Sequence, residues 1–246
     1  MAAPCKVLLL KAADDKYAAA FQRPTRVEQQ DEPQYGQDGA TCAFQVHFVD
    51  VLTFEFVNTE ALHAAVTNLD NYSGILVTSP RGAIAIVNAV QALRQQQQDE
   101  QEASQYEQVK MKLRAFPIYS VGRATSRELE VLGVTCLGEE SGSAELLAAH
   151  LHKEGVLSEE SKTKPMLFTC GEKRSNVLPD SFRSRGLPLE ELVVYKSCAV
   201  SDIKLPQGCA QPQWVAFFSP SGLKAMKSVD LPWASVRKAA IVCERS

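Results

Sequence analysis

Several absences bound this sequence before any motif is read. Its seven cysteines (Cys5, Cys42, Cys136, Cys170, Cys198, Cys209, Cys243) form no CxxC pair. An odd, scattered set reads as free thiols in a reducing compartment, not as a disulfide frame or a zinc ribbon. Histidine is scarce, with four in 246 residues. The one close pair, His150 and His152, is two apart, which on a helix points the rings to different faces and speaks against a metal site. There is no strongly basic block and the formal net charge is −3, so nothing asks for nucleic acid. No run reaches the roughly 20 apolar residues of a membrane helix. The opening MAAPCKVLLLKAADD has too short an apolar run, with acids after it, for a signal peptide, and reads as a first buried strand. A soluble, cytosolic protein is expected.

What is present is enough apolar material for a core, 45% of residues, in a length that suits one large domain or two small ones. Short apolar runs alternate with helical spacings along most of it. KVLLLKA (6–12), GILVTS (74–79), AFPIYSVG (115–122), VTCLGE (134–139), PMLFTCG (165–171), LEELVVYKSCAV (189–200), WVAFFS (214–219) and VRKAAIV (236–242) read as strands. FQVHFVDVLTFEFV (44–57) alternates and is rich in aromatic and β-branched residues, so it reads as one extended strand. Helices are expected at 61–69, from Arg81 to about residue 98, at 124–133 closed by Gly133, at 143–155 between Ser143 and Gly155, at 175–186 and from Ser221. The stretch 22–41 reads as a loop, long for a structureless one. The polar run 95–108 reads as a solvated helix end or loop.

Strands alternating with helices predict parallel βαβ units, an α/β fold. The segment 52–199 holds a full set, and its flanks hold a partial one. A continuous domain, 52–199, therefore interrupts a discontinuous one, 1–51 with 200–246, and the extended segments 44–57 and 189–200 connect them. One motif occurs in both parts. GILVTSPRGAIAIVNAV (74–90) and WVAFFSPSGLKAMKSV (214–229) each run from a strand through Ser-Pro-x-Gly into a helix. Ligands of such sheets bind at the carboxyl ends of the strands, where helix N-termini offer free N–H groups. In this unit Ser can cap, Pro fits the first turn, and Gly lets a ligand approach the backbone. Two such units facing one cleft suit an anionic ligand.

The motifs VLLLK (7–11), ILVTSPRGAIAI (75–86), YSVGRATSRELEVLG (119–133), SGSAELLAAHL (141–151), LFTCGEKR (167–174), LEELVVYK (189–196) and FFSPSGL (217–223), in that order, resemble the uroporphyrinogen-III synthase family. The resemblance covers most of the chain outside residues 18–43 and the last few. It implies two parallel-sheet α/β domains joined by two extended strands, with the active site in the inter-domain cleft. It implies a monomer without metal or organic cofactor that acts on hydroxymethylbilane, a linear tetrapyrrole bearing eight carboxylates. The ring is closed with inversion of ring D and loss of water, through an azafulvene and a spiro intermediate. The azafulvene left alone closes to the uninverted isomer I, so geometry is what such a protein must control.

Carried onto this chain, the resemblance makes Tyr195 a candidate acid. A phenol ordinarily has a pKa of about 10 and holds its proton at neutral pH; the plainer alternative is a packed aromatic at a strand end. Ser79, Pro80 and Arg81 open one helix, and Arg81 can take a carboxylate bidentately or simply be solvated. Ser219, Pro220, Ser221 and Gly222 are the counterpart, or a plain helix cap. Gly122 and Thr125 offer open backbone and a hydroxyl at another helix start, or simply make a tight strand-to-helix turn. Gly171 with Lys173 and Arg174 makes an anion nest, although the family's basic residue lies four after the glycine, where this chain has Ser175. Lys11 ends the first strand and reaches a carboxylate or stays on the surface. Cys170 reads as a buried, inert thiol.

The chain departs from the family after RKAAI (237–241). The resemblance implies a Gly-Pro-Thr-Thr-like turn, a helix, a short strand and a final helix there; this chain reads VCERS. One face of the discontinuous domain is therefore expected to expose apolar sheet. The rival reading is a non-catalytic derivative that keeps the fold and at most binds a linear tetrapyrrole. A two-domain solute receptor is a third, without the expected secretion signal.

Overall fold

The computed structural model describes residues 4–22, 44–95, 100–227 and 229–240. The loop expected at 22–41, apart from Gln22 at a helix end, and the sequence from Ile241 onward lie outside the described residues. In chain order the elements begin β1 (Cys5–Leu9), α1 (Asp15–Gln22), β2 (Phe44–Phe48), β3 (Leu52–Phe56), α2 (Thr59–Thr67), β4 (Gly74–Val77), α3 (Pro80–Gln95) and α4 (Glu100–Ala115). They continue β5 (Ile118–Ser120), α5 (Arg123–Leu129), α6 (Ala144–Leu151), β6 (Met166–Gly171), α7 (Val177–Ser184), β7 (Leu189–Ala199), β8 (Trp214–Phe217), α8 (Pro220–Met226) and β9 (Arg237–Ala240). The chain forms two compact units. One runs Phe54–Ser197; the other takes in the chain up to Thr53 and from Cys198 onward. The chain passes between them inside β3 and inside β7.

The split unit is built on a four-stranded sheet in the order β2-β1-β8-β9. Its pairs are parallel, with Val7 opposite Val46 and Trp214, and Ala216 opposite Ala239. A central parallel strand is covered on both faces, which is why VLLL carries no polar alternation. Leu8 and Leu10 pack with Val215, Phe217, Met226, Leu231 and Val236 on one side. Val7, Leu9 and Ala216 pack with Tyr17, Phe21 and Phe48 on the other. On that second face Val7, Phe21, Phe44, Trp214, Ala216 and Ala239 line an apolar depression of about 250 Å³.

The continuous unit has a five-stranded sheet in the order β3-β7-β6-β4-β5, parallel from β7 to β5. β4 and β6 are buried at every residue. Period-two alternation divides their side chains. Ile75, Val77 and Leu167 join the cluster formed with α2, α3, α4 and α5. Leu76, Met166, Phe168 and Cys170 join the one formed with α6 and α7. The result is a helix–sheet–helix sandwich. Tyr72, just before β4, donates a hydrogen bond to Glu190 of β7 at 2.9 Å; burial and that carboxylate push its phenol up to about 12. Ser143 caps α6, its hydroxyl accepting from Leu146 N at 3.2 Å, and Gly133 ends the turn after α5 with φ at 73°.

Three expectations are corrected. The segment 44–57 is not one strand: it breaks at 49–51, after the last β2–β1 ladder bond from Val49 N to Leu9 O, and β2 and β3 join different sheets. The run 95–108 leads into a helix that begins at Glu100; Val109 and Leu113, four apart, bury one stripe of it with Tyr106 against them. VTCLGE is no strand beyond a single bridge between Tyr119 and Leu137.

The glycines of the two Ser-Pro-x-Gly turns serve packing. A Cβ on Gly82 would stand 3.2 Å from both the Thr169 carbonyl oxygen and Val77 Cγ2; one on Gly222 would stand 3.2 Å from Val51 Cγ2. Each glycine lets its own helix settle onto its own unit. Gly82→Ala is therefore expected to destabilise the chain by about 1 kcal/mol, strain against a strand backbone outweighing the better helix former. An unchanged or raised Tm would show that α3 has room to lift.

Candidate active site

Parallel pairing brings the candidate residues of the continuous unit to one edge of its sheet. Val77 stands opposite Ser120 and Thr169, so β4, β5 and β6 end side by side. The turns that follow carry Ser79, Gly122 and Gly171.

At the first of these turns the Ser79 hydroxyl accepts from Gly82 N at 3.1 Å and Pro80 starts α3, so Ser79 is the helix cap. At the second, Gly122 caps α5 without a side chain, and a Cβ there would meet nothing within 4 Å. Thr125, however, is 4% exposed, so this turn offers backbone and not the expected hydroxyl. At the third, the β6–β7 register shifts between Cys170 and Gly171, and Gly171 stands opposite Tyr195. Val194 is the extra residue of this bulge. It is fully buried, and the bulge re-aims the residue that follows.

That residue is Tyr195. Its ring occupies the space a side chain at 171 would need: a Cβ would lie 2.6 Å from Cζ and 2.8 Å from the hydroxyl oxygen. Gly171 is thus required by the tyrosine ring. The backbone keeps the two together, since Glu172 N donates to Tyr195 O at 3.0 Å. Phe54 of β3 meets the tyrosine ring edge-on, centroids 6.2 Å apart. Among the described residues the Tyr195 hydroxyl makes no hydrogen bond.

The candidate cations Arg81, Arg174 and Lys11 differ. Arg81 lies over Phe54, its Cζ 3.3 Å from the ring centroid, and has no ion-pair partner among the described residues. Arg174 is engaged. Its Nε donates to Glu191 Oε2 at 2.6 Å, its Nη2 donates to the same oxygen, and this bonding raises its pKa further above its ordinary value. A ligand would have to share or displace Glu191. Lys11, in the split unit, is held by Asp14 at 2.6 Å and sits over the Tyr17 ring. In that unit the Ser219 hydroxyl accepts from Gly222 N at 3.1 Å, and Pro220 and Ser221 form the first turn of α8.

Cys170 is 1% exposed and burial pushes its thiol up to about 11. It stays protonated at neutral pH and is no nucleophile. Phe54 is the residue that sequence reading passed over. The signal was there in the alternation of TFEF, which sets Phe54 and Phe56 on one face of a strand where both remain more than a third exposed.

The comparisons agree with this architecture. The sequence profile described as uroporphyrinogen-III synthase HemD matches residues 40–242. The uroporphyrinogen-III synthase of Saccharomyces cerevisiae is 27% identical over 221 residues, 81% of this chain and 76% of that protein. The crystal structure of uroporphyrinogen-III synthetase from Helicobacter pylori superposes with a TM-score of 0.51 at 12% identity, over 97% of this chain and 84% of the other, a likeness of fold. No helix among the described residues is long and apolar enough to cross a membrane. With the profile running unbroken from before β2 to the end of β9, through all four strand-end turns, the chain belongs to the uroporphyrinogen-III synthase family.

Proposed function

We propose that this chain converts hydroxymethylbilane to uroporphyrinogen III, closing the macrocycle with ring D inverted and releasing water. The observation that carries the reading is the Tyr195 phenol, fixed on Gly171 at the carboxyl end of the sheet with its hydroxyl uncommitted and Arg81 on the same aromatic cluster. A phenol in that state has one proton to give and a defined position from which to give it.

The chemistry assigns each group a task. The ring A hydroxyl leaves with the Tyr195 proton as water, while the pyrrole nitrogen, keeping its own proton, supplies the electron pair that forms the cationic, protonated azafulvene. The substituted carbon of ring D attacks, the spiro intermediate fragments, and the ring recloses reversed. The proton lost when the last pyrrole regains aromaticity can return to the phenolate, so the enzyme ends as it began. Arg81 and the open backbone at Gly122 hold substrate carboxylates. Arg174 does so by exchanging Glu191 for the ligand. Acid–base and geometric control suffice, and we assign no cofactor. We place the protein in the cytosol, acting as a monomer on a small molecule.

The direct test is product analysis. Protein shown to be folded by circular dichroism is fed hydroxymethylbilane, and the oxidised uroporphyrin isomers are separated. A clear excess of isomer III over an enzyme-free control is expected; isomer I alone would make the chain a non-catalytic member of its family.

Two variants test the role of the phenol. Tyr195→Phe is expected to lower kcat about 100-fold, within the range for loss of a general acid, while KM changes less than about threefold. Unchanged kcat would remove the hydroxyl from the mechanism. Gly171→Ala, which drives a methyl group into the ring, is expected to reduce kcat with Tyr195 intact. Full activity there would show that the ring need not sit where it does.

A further inference from the structure

The uncommitted state of Arg81 needs an explanation. A long, charged side chain on a first helical turn ordinarily pairs with a carboxylate or samples many rotamers in water. Arg81 does neither. Its Cζ is 3.3 Å from the Phe54 centroid, and at that distance only a guanidinium lying flat on the ring avoids driving its nitrogens into it. A flat stack fixes the side chain through the π face and leaves the in-plane N–H donors unspent. Arg174 shows the other outcome, with donors consumed by Glu191.

Phe54 has a second neighbour. Its ring meets Tyr195 at 6.2 Å with 68° between the planes, while Gly171 fixes Tyr195 from another side. The same ring therefore touches both the anion receiver and the acid. Burial does not account for this placement, because Phe54 is 37% exposed and stands outside the buried clusters of its unit.

We infer that Phe54 is a positioning residue. Its ring seats the Arg81 guanidinium for a substrate carboxylate and braces the Tyr195 phenol, so that both are set by one side chain. The inference rests on the function proposed above and adds the residue that aligns its two parts.

The test uses the full chain with Phe54→Leu, which keeps apolar bulk without a π face, and Phe54→Tyr, which restores the ring. NMR reads the geometry. In the parent protein the Arg81 Nε–H resonance is expected to be shifted upfield by the ring current. Phe54→Leu should abolish that shift and move the Tyr195 ring resonances, and Phe54→Tyr should restore both. Kinetics read the consequence. Phe54→Leu should raise KM and lower kcat, with kcat/KM falling at least about tenfold and the isomer III excess shrinking, while Tm moves little. Phe54→Tyr should recover most of both parameters. An ordinary Arg81 resonance in the parent protein would overturn the inference, as would Phe54→Leu with kcat and KM within twofold of the parent. A parent protein that makes no isomer III would defeat the proposed function instead, and the spectra alone would then decide whether Phe54 sets the two groups.

Discussion

A parallel sheet collects the carboxyl ends of its strands on one edge, and most of what distinguishes this chain follows from that constraint. In the continuous unit, β4, β5 and β6 finish in register, so three turns far apart in sequence become neighbours. Each turn must lead the chain away into a helix or back over the sheet. The residues that do so, a capping serine, an open glycine and a glycine under a tyrosine ring, are also those we propose meet the ligand. Orientation is what the proposed chemistry demands, and fixing reacting groups on such an edge can contribute several kcal/mol.

Much of this was legible in the sequence, because parallel strands buried on both faces advertise themselves as unbroken apolar runs. VLLL and GILV became β1 and β4 within a residue or two, and Ser143 and Gly133 served as cap and stop. The failures have physical causes as well. The alternation in 44–57 is real, but alternation does not reveal that a chain changes sheets: β2 pairs with β1 as far as the bond from Val49 N to Leu9 O, and β3 joins the other sheet. Val109 and Leu113 of α4 bury a thin stripe just past the polar run 95–108, whose composition hides the helix. The Ser-Pro-x-Gly glycines read as room for a ligand, and the structure adds a packing need that the motif does not show, since Gly82 and Gly222 admit neighbouring atoms of their own units. Sequence shows that a glycine is needed and not what comes close to it.

The candidate site was legible as a set of positions and less so as a set of states. Arg81, Arg174 and Lys11 look alike in a sequence. In the structure one lies on an aromatic ring, one is bonded to Glu191 and one to Asp14. They differ accordingly in what a ligand carboxylate must displace. Tyr195 was found by resemblance, but its relation to Gly171 depends on the bulge at Val194, which depends on the pairing of strands more than twenty residues apart. Phe54 carries no motif and shows its importance only through its two neighbours.

The central claim is that the strand-end turns receive the carboxylates of a tetrapyrrole. Hydrogen–deuterium exchange with and without uroporphyrin III, the oxidised octacarboxylate product, measures this most directly. The account predicts slower amide exchange on binding at 81–83, 122–126 and 171–174, with the outer helical faces unchanged. Binding that protects none of these turns, or only segments remote from the strand ends such as 152–162, would contradict it.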